Sequence, residues 1–277
     1  DPEVIKEKPF HIGLSCTLRG DKVAYEDNGL LRIWRMPETT MRYAIGVDCA
    51  LGLEHGDDST AVVMDAYFRV CAVLQGKLGS RALATYANDL GMFYGRALLG
   101  VERNNSGHSV IDFLRDDHRY ANLYFRKDIL AIGQDRPREW GWQTSQESKG
   151  LAINFLSGKL PEIEVCDAAV LTQLSEFRYI HSRDGKKVEM GGSPHDDLVM
   201  ALAIAAQMVR ELRMPPGHLE GPPMPALPPS RFEGFDGTVH SLARMGMEDE
   251  VHEMPNFAII GGRPPTKIGR ASCRERV

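Results

Sequence analysis

Three short apolar runs follow one another between residues 42 and 78, before any stretch with helical spacing appears. They are RYAIGVDCA (42–50), STAVVMDAYF (59–68) and RVCAVLQGKL (69–78). The links between them are shorter than the dozen or more residues that a parallel crossover takes, so the runs are expected to pair antiparallel. From 81 the pattern changes. Leu83, Tyr86, Leu90 and Phe93 recur at helical spacing within 81–98. Strand-like and helical runs then alternate: strand 98–105, helix 108–118, strand 121–126, helix 148–160, strand 161–167 and helix 168–177. A strand meander followed by such alternation predicts an α/β fold, a mixed β-sheet flanked by helices.

Two hairpins are expected beside this core. One centres on Asp27-Asn28-Gly29 between two alternating runs within 21–36, the other on Asp184-Gly185 within 177–192. Asn-Gly and Asp-Gly are the strongest short turn signals. A last helix is predicted over 194–213. Pro194 and the pair Asp196-Asp197 suit a first turn, and an Ala/Leu/Ile/Met-rich body follows. Beyond it, ten of the 16 prolines fall within 214–277. Proline fixes φ and lacks the amide donor, so this stretch cannot be helix or central strand. The domains expected are a lead and hairpin over 1–41, a folded unit over 42–213 and a disordered Pro/Gly-rich tail over 214–277. The final IGRASCRERV reads as a vector-derived end, and Asp1 in place of Met reads as an internal start.

Charge and cysteines narrow the classes. Lys and Arg number 33 against 38 Asp and Glu, a net charge of −5. That excludes a uniformly basic nucleic-acid coat but leaves room for a local basic groove. The five cysteines (16, 49, 71, 166 and 273) are odd in number and form no CxxC pair. This argues against a disulfide framework or a structural zinc site and suits a reducing compartment. No apolar run reaches the ~20 residues of a membrane helix. The pairs Gly76-Lys77 and Gly158-Lys159 are each followed by Leu, so no phosphate-binding loop of the GxxxxGK[ST] type is present.

Four acids stand where such a sheet would gather them. Asp48 ends the first apolar run, Glu102 ends LLGVE, and Asp196 and Asp197 open the last helix. A carboxylate at the end of an apolar strand is costly to desolvate unless paired or metal-bound. A divalent cation is the simplest reason to bring several together, and all-oxygen ligands suit Mg²⁺ or Mn²⁺. Two such ions ~3.5–4 Å apart support in-line phosphodiester displacement. Taken singly, each acid reads better as a surface or capping residue; the ordered set is what points to a metal. Asp57 and Asp65 read as structural. Asp58 reads as a polar turn residue or as support for a metal ligand. His195 is a helix-start polar residue or a supporting or proton-donating group. Arg183, Lys186 and Lys187 on the second hairpin, with Lys149 and Arg103, are solvated charges or phosphate contacts. Asn104 and Asn105 read as helix caps, and Trp140 and Trp142 as packing rather than base-stacking platforms.

In order and spacing, YAIGVDCALGLEHGDDSTAVVMD, GVERNNSGHSVIDFL, GWQTSQESKGLAINFL and HDDLVMALAIA resemble the nuclease domain of the large terminase subunit of tailed bacteriophages, a ribonuclease H-like fold. The resemblance spans about residues 40–210. It implies that Asp48, Glu102, Asp196 and Asp197 hold two divalent cations, Mg or Mn, and catalyse endonucleolytic cleavage of concatemeric double-stranded DNA with little sequence preference. It also implies an ATPase motor domain N-terminal to this chain, a small terminase subunit and a portal as partners, and the cytoplasm of an infected bacterial host as location. Cys49 stands where the family often has Pro, and Lys149 where it often has Arg. Two alternatives remain open: another ribonuclease H-like nuclease of resolvase or transposase type, and a non-catalytic DNA-binding or motor-docking module.

Overall fold

The computed structural model describes residues 13–20, 22–104, 106–126, 139–181, 188–191 and 196–212. Residues 1–12 of the expected N-terminal lead and the whole of the expected proline-rich tail lie outside them.

The sheet begins with β1 (Leu14–Arg19), β2 (Lys22–Tyr25) and β3 (Leu31–Ile33). It continues with the meander β4 (Tyr43–Asp48), β5 (Ser59–Asp65) and β6 (Val70–Gly76), and with β7 (Leu98–Val101). The seven strands lie in the order β2-β1-β3-β6-β5-β4-β7. The three runs from 42 to 78 pair antiparallel as expected, and β7 joins β4 in parallel. The sheet is therefore mixed. β5 is buried along its whole length, as a central strand covered on both faces must be.

Helix α1 (Ser80–Phe93) follows β6. It stops short of the predicted 98 because Gly95 and Arg96 take φ of +67° and +61°, the left-handed turn that ends many helices. After β7 comes α2 (Gly107–Asp112), continued by a π-helical turn over Phe113–Asp117. Then follow α3 (Gln146–Lys159), α4 (Ala168–Glu176) and α5 (Asp197–Glu211). One face of the sheet packs Ile45, Val47, Ala61, Val63 and Leu74 against Leu83, Ala87 and Leu90 of α1 and Val110 of α2. The other packs Ala44, Val62, Met64 and Val73 against α3, α4 and α5. Every residue of α5 from Asp197 to Val209 is buried, in keeping with a helix apolar on all sides.

Two glycines set how closely α5 lies. Gly46 of β4 and Gly100 of β7 are register partners. A Cβ on Gly46 would lie 2.1 Å from the Ala201 carbonyl oxygen, and one on Gly100 would lie 2.5 Å from Met208 Cγ. The helix rests directly on the strand backbones, which only residues without a Cβ allow.

Three local predictions differ from the structure. The runs flanking Asn28-Gly29 do not pair with each other, because β1 lies between β2 and β3 and pairs with both. The tight turn is instead at Gly20 (φ +62°), two residues separating the partners Arg19 and Lys22. Asn28 turns the chain (φ +62°), but into a crossing over β1. Residues 161–167 form no strand. Glu164 makes one isolated bridge to Arg69, and Asp167 then caps α4 through the Val170 amide. Within 121–126 only β8 (Phe125–Arg126) is strand, paired with β9 (Glu139–Trp140). The second hairpin forms from β10 (Arg178–His181) and β11 (Val188–Gly191). Trp140 and Trp142 pack against Phe125 and Tyr124 at ring-centroid distances of 5.3 and 6.3 Å, as packing residues do. No helix among the described residues is long and apolar enough to cross a membrane.

Candidate active site

Strand and helix periodicity converge on one point. Gly46 faces α5, so Asp48, two residues on, faces the same side. Gly46 meets Ala201 and Ala205; one turn back along α5 from Ala201 is Asp197. The parallel pairing aligns Gly46 with Gly100 and Val47 with Val101, which carries Glu102 to the side of Asp48. The Glu102 amide continues the ladder, donating to the Val47 carbonyl at 2.9 Å. The carboxylates thus gather at the C-terminal ends of two parallel strands, where open α/β sheets place their ligands.

The electrostatics match the geometry. Desolvation pushes the Asp48 carboxyl well above the ordinary carboxylate range. A hydrogen bond to Glu102 and the charges of Glu102, Asp197 and Asp196 push it the same way. Each of these causes disfavours the charged form of Asp48.

Each remaining acid has its own partners. Asp197 is 8% exposed. Its Oδ2 accepts from the Asp58 amide at 3.2 Å, and its carbonyl accepts from Thr60 Oγ1 at 3.0 Å. Asp196 precedes α5 without a side-chain capping bond; its Oδ2 accepts from Lys149 Nζ at 2.9 Å. Glu102 Oε1 accepts from Asn104 Nδ2 at 3.3 Å. Asn104 is held in turn by Gln143, whose Nε2 donates to Asn104 Oδ1 at 2.6 Å, and by the Thr144 carbonyl, which accepts from Nδ2 at 2.8 Å.

Other predicted residues sit less centrally. Asp58 touches the group through its backbone, while its carboxylate accepts from Lys77 Nζ at 2.8 Å and Gln75 Nε2 at 3.0 Å. Arg103 is turned to Glu139, with Nη1 at 3.1 Å from Oε2, and its Nε is buried with no partner among the described residues. Asp65 is structural: its carboxylate accepts from Arg69 Nε at 2.6 Å and from two backbone amides. His195, Arg183, Lys186, Lys187 and Asn105 lie outside the described residues.

Sequence reasoning missed Asn104 as a carboxylate partner and missed Gln143 altogether. Asn104 follows Glu102 by two positions, where an Asx side chain reads as a cap. Gln143 arrives from a polar loop 39 residues away in sequence, and no local pattern signals such a contact.

Among the described residues, no three His, Cys, Asp or Glu side chains are gathered tightly enough to coordinate one ion as they stand. One of the four acids, Asp196, is held by Lys149 instead. The donor set is nonetheless all carboxylate oxygen, which suits a hard divalent cation. Neutralising a desolvated group of like charges is what such an ion does.

No protein-family model and no curated protein matches the sequence. Solved structures do match the fold. The large terminase nuclease from thermophilic phage G20c with bound cobalt is similar at a TM-score of 0.55 and 19% identity, over 74% of this chain and 94% of that one. The same nuclease with bound magnesium gives 0.54 and 18% over the same shares. The Thermus phage P74-26 large terminase nuclease domain gives 0.52 and 18%, over 74% of this chain and 92% of that one. The mixed sheet flanked by helices is therefore the fold of large terminase nuclease domains, the ribonuclease H-like fold expected from the sequence.

Proposed function

We propose that this chain is a metal-dependent endodeoxyribonuclease of the terminase large-subunit type, cutting double-stranded DNA with little sequence preference. The convergence of Asp48, Glu102, Asp196 and Asp197 on one sheet edge, with Asp48 desolvated among like charges, carries this reading. The likeness to terminase nucleases crystallised with magnesium and cobalt adds support.

The four carboxylates are the residues that would hold two divalent cations, Mg²⁺ or Mn²⁺. When bound, such ions activate a water and neutralise charge on the departing 3′ oxygen. The chain's own groups do the rest. Asn104 and Gln143 orient the Glu102 carboxylate, the Asp58 amide and Thr60 hydroxyl fix Asp197, and Lys149 stands ready for a backbone phosphate. Arg103, Arg183, Lys186 and Lys187 are proposed as further phosphate contacts, and His195 as a supporting residue at the start of α5. Contacts of this kind position DNA without reading its sequence. The biological setting proposed is packaging of concatemeric viral DNA in an infected bacterial cytoplasm, beside an ATPase motor, a small terminase subunit and a portal.

The test is nicking of supercoiled plasmid with Mg²⁺ or Mn²⁺, with and without EDTA, beside Asp48→Ala and Asp197→Ala. Metal-dependent cleavage lost in both variants is the expected result. Cleavage that survives EDTA and either substitution would overturn the reading. DNA binding with no cleavage at any metal concentration would favour a docking module instead. Cleavage confined to branched DNA would favour a resolvase-like nuclease.

A further inference from the structure

Resting on the nuclease reading, we infer that Lys149 is a built-in counter-ion of the carboxylate group, one that a divalent cation must displace, and that the displaced ammonium then serves as a phosphate contact.

The position of the lysine is the first observation. Lys149 lies at the N-terminal end of α3, one turn after the Ser145 cap. That end of a helix carries partial positive charge and disfavours cations. A lysine placed there needs a compensating anion, and Asp196 Oδ2 supplies it at 2.9 Å. Both side chains are about three-quarters shielded, at 24% and 28% exposure, so the pair is screened less than a surface pair.

The anchoring of the segment is the second. Ser145 and Ser148 close a reciprocal capping box at the start of α3, and Gln143, two residues before the cap, holds Asn104 against Glu102. A single stretch, 143–149, thus grips both flanks of the carboxylate group. Glu102 is gripped by neutral donors, which can keep their bonds when a cation arrives. Asp196 is gripped by a full positive charge, which cannot share the carboxylate with a divalent ion at equal strength. Ion binding and the Lys149–Asp196 pair are therefore competitive. An ammonium on a flexible four-carbon stem can leave Asp196 and remain near the same point, where the backbone phosphate of a bound duplex needs a cation.

The test is calorimetric titration of Mn²⁺ into metal-free wild-type protein, Lys149→Met and Lys149→Arg. Removing a partly screened neighbouring charge is expected to tighten Mn²⁺ binding in Lys149→Met by roughly tenfold, while Lys149→Arg, which keeps the charge, stays near wild type. At saturating Mn²⁺, the Met variant is expected to bind a cleavage-resistant phosphorothioate duplex more weakly, with its log–log salt slope smaller by about 1. Unchanged or weaker Mn²⁺ binding in the Met variant overturns the inference. So does an equal shift in the Met and Arg variants, which would mark a structural effect. A wild-type protein that binds no Mn²⁺ at all would instead overturn the nuclease reading from which this one departs.

Discussion

Gly46 of β4 and Gly100 of β7 face each other in parallel register, and both lie directly beneath α5. The pair sets the depth of the helix, and the depth of the helix sets where Asp197 stands relative to Asp48. Gly46→Ala tests this. The new Cβ would sit 2.1 Å from the Ala201 oxygen and 2.3 Å from the Ala205 nitrogen, both backbone atoms that cannot swing aside. The expected loss of stability is about 1–3 kcal/mol, the range for overpacking a dense core, with metal-dependent cleavage lost as well. Urea unfolding with an unchanged midpoint would contradict it.

Asp48→Asn separates the electrostatic cost of the site from its use. Desolvation and three neighbouring acids disfavour the charged form of the wild-type carboxyl. The neutral amide carries no such cost. Cleavage should fall to background, while the metal-free variant gains about 0.5–2 kcal/mol, as relief of a strained active site commonly does. Thermal melts in EDTA read the gain; a lower melting temperature than wild type would count against it.

Asn104→Ala leaves the four acids in place but frees Glu102 and strands the Gln143 amide. Loss of such a supporting hydrogen bond typically costs about 10–100-fold in metal affinity or activity. The expected signature is a higher Mn²⁺ requirement for cleavage, partly restored at saturating metal. A metal dependence identical to wild type would show that the Asn104–Gln143 chain does not position Glu102.

Alkaline pH should unfold the protein early. Burial pushes the Cys16 thiol up to about 12 and raises Cys71, Tyr43, Tyr94 and Tyr120 as well. The folded state keeps these protons after the unfolded chain has lost them, near the ordinary values of about 8.5 for Cys and 10 for Tyr. The folded state then binds more protons, so stability falls as pH rises. The loss begins near pH 8.5 and deepens through 10 and above. Melting temperatures recorded from pH 8 to 11 should fall steadily; a flat profile would contradict the burial.

Much of this was legible in the chain itself. The meander β4–β6 could be read because central strands are apolar runs with short links, and α5 because it is apolar on every side yet opens with two acids. Asp48 stood out for the same reason, a charge at the end of a run that otherwise excludes charge. The crossing of β1 between β2 and β3 was not legible, because Asn28-Gly29 reports a turn and says nothing of which strands will pair across it. PEIEVCD has strand composition, but its Glu164 only bridges Arg69 before Asp167 starts α4. Gln143, Asn104 and the Lys149–Asp196 pair depend on contacts 39 to 47 residues apart in sequence, which local periodicity does not encode.

The packing of α5 on β4 has a consequence in time as well as in space. Asp48 ends β4, Glu102 follows β7, and Asp197 opens α5. The helix that brings the last acids also packs on one face of the sheet, beside α3 and α4. A growing chain that has made every strand of the main sheet still lacks two of the four carboxylates, and it gains them only with α5. On the function proposed above, cutting competence would therefore arrive together with the packing of α5, and a chain lacking that helix would be expected not to cleave DNA.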